Sequence, residues 1–310
     1  MRACVDIGGT KVSVSLNAGA GDRALLATHA EPTVTSGSPG ALAHQVVRMV
    51  DAACAQLGIA PQQVQAAGVC APGPFVLEDG ALALASPNLC GGLAVAGAGV
   101  HLANDWRRVP LQAPLRQRFS QLRIENDAVA ALEAERRWGA LQGYDDCAYV
   151  TWSTGVGGGL CVGGRVLRGK QGNAGHVGHI FVSDGGHAMC GCGNVGDVEA
   201  LAGGHALERR LGIPAPELLA AAEAGDPGAC AEVDAMCRVM GRALYDLIAL
   251  LDLQRISLGG SVFFHHQALL LPRLITQVRG RLVSVTDGCD LVPAGLGARV
   301  GDYAALALLD

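Results

Sequence analysis

The chain has 310 residues, half of them hydrophobic and few aromatic, which is enough for two cores with a cleft between them. Its formal charge of -5 leaves no basic footprint for nucleic acid or anionic lipid, and no run of about 18 apolar residues would span a membrane. Eleven cysteines lie scattered in apolar sequence, and an acid and two glycines interrupt the start too early for an export signal, so reduced thiols and a cytoplasmic α/β protein are expected.

The first elements read strand, glycine turn, strand, in "RACVDIGG" and "TKVSVSLN". A helix is predicted near 40–57, where Leu42, Val46, Met49, Val50, Ala53 and Leu57 recur at spacings of three and four. "VQAAGVCAPGPF" is a strand ending in a Pro-Gly turn. Residues 80–105 form a loop region of small residues with weak periodicity. "LRIENDAVAALEAERRWG" runs from a strand into a helix at Asp127. "CAYVTWSTGVGGGLCVGGRVLRG" repeats the opening pattern roughly 145 residues later, which suggests duplicated lobes. The segment 172–197 is loop-rich. A helix over 230–251 presents Val233, Met236, Cys237, Met240, Leu244, Leu247, Ile248 and Leu251 on one face. "RISLGGSVF" is a strand with a Gly-Gly end leading to a helix, and the closing "DYAALALLD" is a helix expected to pack back on the first lobe.

Two turns have the composition of anion cradles. In "DIGGTK" (Asp6 to Lys11) glycines let backbone amides approach an anion, and Thr10 and Lys11 add a hydroxyl and a cation; a plain hairpin turn is the alternative. "STGVGGG" (Ser153 to Gly159) repeats the logic, and two such turns facing one cleft could hold a polyphosphate from both sides. "GRVLRGKQ" has the glycine and lysine spacing of a P-loop, but it lacks the following Ser or Thr and begins inside a strand. Asn126 and Asp127 open a helix, where both residue types are preferred caps; a carboxylate there could also take a proton from a hydroxyl nucleophile. Downstream, "GNAGHVGH" and "MCGCGNVGDVEA" bring His179, Cys190, Cys192 and Asp197 into one glycine-rich loop. One imidazole, two thiolates and a carboxylate complete a tetrahedral zinc site, with surface cysteines and a capping Asp197 as the alternative.

Taken in order and spacing, "DIGGTK", "ENDA", "STGVGGG", "GHVGH…CGCG" and "LGGSV" resemble the ROK family of sugar kinases and sugar-responsive repressors, over essentially the whole chain. The resemblance implies an α/β, two-lobed actin/hexokinase-like (ribonuclease H-like) fold with a cleft between duplicated lobes. A small lobe is expected over 1–120, with a C-terminal helix at about 298–310 packing back on it, and a large lobe with the zinc loop over 121–297. The resemblance further implies Asp127 as catalytic base, with Gly73, Asn88, Asn126, His176, His179 and Glu199 on the sugar. It implies Gly8, Gly9, Thr10, Lys11, Thr154 and Gly155 on the phosphates of ATP, Asp6 organising magnesium, and Gly259 and Gly260 on the adenosine side. Structural zinc falls to His179, Cys190, Cys192 and Asp197, and a homo-oligomer, dimer or tetramer, is expected.

Two departures from the family pattern matter. His176 stands where most members have glutamate, and Asp197 stands where a third cysteine is usual. The first is shared with bacterial N-acetylmannosamine kinases, which "NLCGGL" (Asn88 to Leu93) and "VEALAGG" also resemble. The second implies weaker zinc binding, because carboxylate is a harder ligand than thiolate. The expected reaction is transfer of the ATP γ-phosphoryl group to a sugar 6-hydroxyl, N-acetylmannosamine before glucose. A repressor is not expected, because the first phosphate strand starts within five residues of Met1 and leaves no room for a helix-turn-helix. An inactive sugar-binding protein is disfavoured by the intact Asp127 and both phosphate turns.

Overall fold

Each glycine turn joins a pair of antiparallel strands, as read from the sequence. The computed structural model describes residues 1–95, 102–185 and 188–310. In chain order the first half contains β1 (Arg2–Ile7), β2 (Lys11–Asn17), β3 (Leu26–Pro32), α1 (Ala41–Gln56), β4 (Ala66–Ala71), β5 (Phe75–Glu78), β6 (Ala81–Leu84), β7 (Val109–Pro110), α2 (Gln112–Arg118), β8 (Gln121–Asn126) and α3 (Asp127–Trp138). The second half contains β9 (Cys147–Trp152), β10 (Val156–Val162), β11 (Arg165–Val166), α4 (Val198–Ala202), α5 (Gly204–Leu211), α6 (Ala215–Glu223), α7 (Pro227–Leu251), β12 (Arg255–Gly259), α8 (Ser261–His265), α9 (Gln267–Val278), α10 (Val283–Thr286), β13 (Asp290–Pro293) and α11 (Val300–Ala307).

The two main sheets have one topology. The first runs β3-β2-β1-β4-β8 and the second β11-β10-β9-β12-β13. In each, a central strand pairs antiparallel with its hairpin partner and parallel with the strand on its other side. The roughly 145-residue sequence echo is therefore a duplicated sheet. β8 pairs with β4 throughout its length, so the first sheet reaches Asn126, past the boundary expected at 120. The small-residue region is more regular than its weak periodicity suggested: β6 joins β5 and β7 in a third sheet. Residues 96–101, in the loop at 90–105, lie outside the described residues.

Burial follows the predicted faces. α1 buries Leu42, Val46, Met49, Val50 and Ala53, whereas Leu57 falls beyond its last residue and is 37% exposed. α7 buries its predicted stripe except Leu251, which is half-buried at the helix end. Each fully buried Leu, Met or Val on such a face contributes about 1.5–3 kcal/mol. One core underlies the first sheet and another the second. Between them α11 packs on α3, β1 and β4. This places the C-terminal ends of β1 and β4, the head of α3 and the second glycine turn around one cleft. No helix among the described residues is long and apolar enough to cross a membrane.

Candidate active site

Asp127 stands at the head of α3, where β8 ends. Asn126 caps the helix by accepting from Ala128 N at 3.0 Å, and the Asp127 carboxylate takes the same amide at 2.8 Å. Asn126 is thus the cap, and only one oxygen of the Asp127 carboxylate is taken by the Ala128 amide. Asp127 is reachable from the cleft yet hemmed in by protein. Burial raises its pKa, opposed by its amide hydrogen bonds and reinforced by the Glu199 charge. A raised pKa makes the carboxylate a stronger base than an ordinary aspartate.

A cavity of about 310 Å³ opens beside it, lined by Asp6, Asp127, Tyr149, Thr151, Gly260 and Ser261 among others. Asp6 is the next-to-last residue of β1, and burial, with the Asp127 charge next, pushes its carboxyl up to about 6, partly offset by Lys11. Two facing carboxylates in a half-buried cavity favour a cationic ligand. The first turn is closed by Gly8 N donating to Lys11 O at 2.8 Å, and Thr33 Oγ1 donates to Gly8 O at 2.7 Å. It leaves Thr10 and Lys11 exposed. Asn88 packs against this turn, where a Cβ on Gly9 would touch the Asn88 Cβ at 3.4 Å. In the second turn Ser153 N donates to Gly155 O at 2.9 Å and Thr154 is exposed. Thr154 borders a second, more apolar cavity of about 280 Å³ with Ala215, Leu219 and Val262; Ser261 and His265 line both cavities.

Gly260 borders the first cavity, with φ +86° in the left-handed region. Gly259 is instead buried, and a Cβ there would collide with the Tyr149 hydroxyl. Its absent side chain permits the close approach of β12 to Tyr149, and it lines neither cavity. "GRVLRGKQ" spans β11 and ends in an exposed turn at Lys170, so no helix follows as a P-loop needs.

Several of the sugar-side candidates lie close to one another. A Cβ on Gly73 would lie 2.9 Å from His176 Cε1 and 3.4 Å from Asn126 Nδ2. The His176 and His179 rings are 5.6 Å apart. Glu199 is half-buried, accepts from Val156 N at 2.9 Å, and receives the Cys190 thiol at 3.2 Å. Gly155 lies against the same carboxylate. Glu199 thus links the second glycine turn to the cysteine loop.

His179, Cys190, Cys192 and Asp197 form one cluster, with donor atoms all within 4.8 Å of one another. His179 Nδ1 lies 3.2 Å from Asp197 Oδ2, 3.7 Å from Cys190 Sγ and 3.5 Å from Cys192 Sγ, and Cys192 Sγ is 3.8 Å from Asp197 Oδ2. A tetrahedron with zinc–sulfur bonds of about 2.3 Å and zinc–nitrogen or zinc–oxygen bonds of about 2.0–2.1 Å has edges of about 3.3–3.8 Å. The donor set fits zinc in type, and these four separations of 3.2–3.8 Å fit such edges. Burial and the Glu199 charge push the Cys190 thiol up, so a thiolate there needs a nearby cation. Asp197 is fully buried and also caps α4, accepting from Ala200 N at 2.8 Å through Oδ1.

The chain matches the ROK family over residues 2–310. It belongs to that family. It is 34% identical over 278 residues to a glucokinase of Aeropyrum pernix, covering 81% of each chain. It is equally 34% identical over 268 residues to an N-acetylmannosamine kinase of Shigella boydii, covering 83% of this chain and 82% of that one. A ROK glucokinase from Streptomyces griseus, solved with glucose and AMPPNP, superposes with a TM-score of 0.70 at 30% identity, over 99% of this chain and 98% of that one. The two-lobed actin/hexokinase-like fold is thus that of this ROK chain. Its sequence motifs had pointed to the turns and to Asp127. They had not pointed to Tyr149 and Thr151, which alternate along β9 into the turn and so share the face that lines the cavity.

Proposed function

We propose that the chain is an ATP-dependent sugar kinase. It transfers the γ-phosphoryl group of ATP to the 6-hydroxyl of a hexose or N-acylhexosamine, N-acetylmannosamine first. The position of Asp127 carries this reading. It lines the cavity that also holds Asp6, follows Asn126, which lies near Gly73 and His176, and feels the Glu199 charge, so the phosphate-side and sugar-side candidates both lie near it. A hydroxyl presented by the sugar-side candidates reaches a carboxylate whose raised pKa suits proton abstraction. Magnesium arriving with ATP is matched by Asp6, with Thr10, Lys11, Thr154 and Gly155 on the phosphates. The 280 Å³ cavity past Ser261 suits the nucleoside. Transfer then depends on positioning and charge stabilisation between closed lobes.

Zinc on His179, Cys190, Cys192 and Asp197 belongs to the same reading. It supplies four bonds to a loop with little apolar surface to bury, and so holds His179 and Glu199 toward the sugar. A homo-oligomer, dimer or tetramer, in the cytoplasm completes it, supported by the family resemblance.

His176 favours N-acetylmannosamine, since it stands where most of the family has glutamate and packs directly on Gly73. Glucose is the second reading, favoured by the equal identity to the Aeropyrum glucokinase. An ATP-dependent assay across N-acetylmannosamine, N-acetylglucosamine, glucose, mannose, allose and fructose separates them. Turnover of none of these sugars would sink the kinase reading.

A further inference from the structure

Asn173 forms a double hydrogen bond across the cleft. Its Oδ1 accepts from the Phe75 amide at 2.7 Å, and its Nδ2 donates to the Phe75 carbonyl at 2.7 Å, between positions 98 residues apart. The side-chain amide stands where the peptide of a neighbouring strand would stand. Phe75 opens β5, and the adjacent ladder bond toward β6 runs from Ala85 N to Pro74 O at 2.9 Å. By antiparallel alternation the Phe75 amide and carbonyl then point away from β6, where Asn173 is their partner. Phe75 itself is anchored, with its ring 1% exposed in the core of the first lobe.

The other end of the tie is equally fixed. Ala174 N donates to Arg168 O at 3.1 Å, and Gly158 N on β10 donates to Gly175 O at 2.9 Å. Arg168 Nε meets Glu125 Oε1 on β8 at 2.5 Å, which joins the same loop to the first sheet a second time. Three residues past Asn173 comes His176, and two before Phe75 comes Gly73, the pair in close contact. Asn173–Phe75 and His176–Gly73 are therefore two rungs between the same two segments. The first rung is made of directional hydrogen bonds and sets the spacing of the second, which faces the sugar.

We infer that Asn173 is a positioning residue for the sugar, holding the Gly73–Phe75 segment of the first lobe against the His176 loop of the second. The inference rests on the kinase reading for what occupies the pocket. It assigns Asn173 to sugar affinity and leaves nucleotide binding and phosphoryl transfer to other groups. Losing both bonds also strands the Phe75 amide and carbonyl, so the segment relaxes outward toward water.

The test is a comparison of the wild-type chain with Asn173→Ala and Asn173→Asp, using N-acetylmannosamine and glucose as probes. Steady-state kinetics give both KM values and kcat, and calorimetry gives sugar binding without ATP. Asn173→Ala is expected to raise the sugar KM and dissociation constant about tenfold, with kcat at saturating sugar and the KM for ATP within about twofold. Asn173→Asp keeps an acceptor for the Phe75 amide but turns its second oxygen on the Phe75 carbonyl, two acceptors face to face, so its loss is expected to be at least as large, about tenfold or more. An unchanged sugar KM overturns the inference, and so does an equal loss of ATP and sugar affinity with a lowered Tm, which marks general damage. If Asn173→Ala does not fold, the same criteria applied to Asn173→Asp decide. A wild-type chain that binds sugar without phosphorylating it sinks the kinase reading alone, and the calorimetric comparison still tests Asn173.

Discussion

Asp197 divides its carboxylate between His179, 3.2 Å from Oδ2, and the first turn of α4, where Oδ1 takes Ala200 N at 2.8 Å. The cap and the cluster are one residue, so metal and helix are coupled, and Glu199 rides on that helix two residues later. Purified protein is expected to carry about one zinc per chain by elemental analysis. Asp197→Ala should lose the metal, destabilise the fold by at least about 1 kcal/mol through the cap alone, and raise the sugar KM as Glu199 shifts. Asp197→Cys should bind zinc more tightly than the native chain. A folded, active native sample without metal would refute the four-donor site.

Asp127→Asn keeps the shape of the side chain and removes the base. Turnover should fall on the order of a hundredfold to ten-thousandfold while ATP binding persists. The native enzyme should show an acid limb in its pH profile. The working form is the carboxylate, and burial raises its pKa, so activity falls as pH drops through that raised value and recovers above it. The limb should vanish in Asp127→Asn. Near-normal turnover of that variant would remove Asp127 from the mechanism.

Asp6 is costly to the unliganded fold. Its pKa rises from 3.8 to about 6 on folding, mainly through burial and then through Asp127. The folded chain therefore holds the proton more tightly than the unfolded one. The neutral carboxyl's contribution to stability is full below about pH 4 and is lost as pH rises through about 6. A shift of about two units corresponds to roughly 3 kcal/mol at most. Asp6→Asn should accordingly raise the Tm at pH 7.5 relative to native, with the gain shrinking toward pH 4, while activity is lost. A lower Tm for the variant at pH 7.5 would reverse the assignment.

Local pattern was enough to read the elements that surround the candidate site. The stripes of α1 and α7 and the two strand–turn–strand units follow from hydrophobic spacing and from glycines at strand ends, and they lie where expected. Asn126 was legible as a cap because its side chain is of a type preferred before a helix, and Asp127 as a candidate base because it stands beside it. Long-range pairing was not legible. The assignment of β8 to the first sheet depends on its register with β4, and β6 is only four apolar residues, Ala81–Leu84, too short a run to mark a strand. Gly259 looked like a ligand turn, and its buried contact with Tyr149 appears only when β9 and β12 are side by side. Asn173 has no signature at all, since its partner is 98 residues away.

Gly73 and His176 offer a test of whether the sugar wall is one unit. A methyl group on Gly73 would sit 2.9 Å from His176 Cε1 and 3.0 Å from Nε2, closer than real Cβ contacts, so the imidazole must move. The Gly73 backbone is not in the left-handed region, so strain is not the obstacle. Gly73→Ala should therefore raise the sugar KM about tenfold and leave the KM for ATP unchanged. In a His176→Ala background the same substitution meets no ring, and its added effect should shrink to about twofold or less. Such non-additivity is the signature of two residues sharing one contact. Equal effects in both backgrounds would mean that Gly73 acts on the sugar without His176.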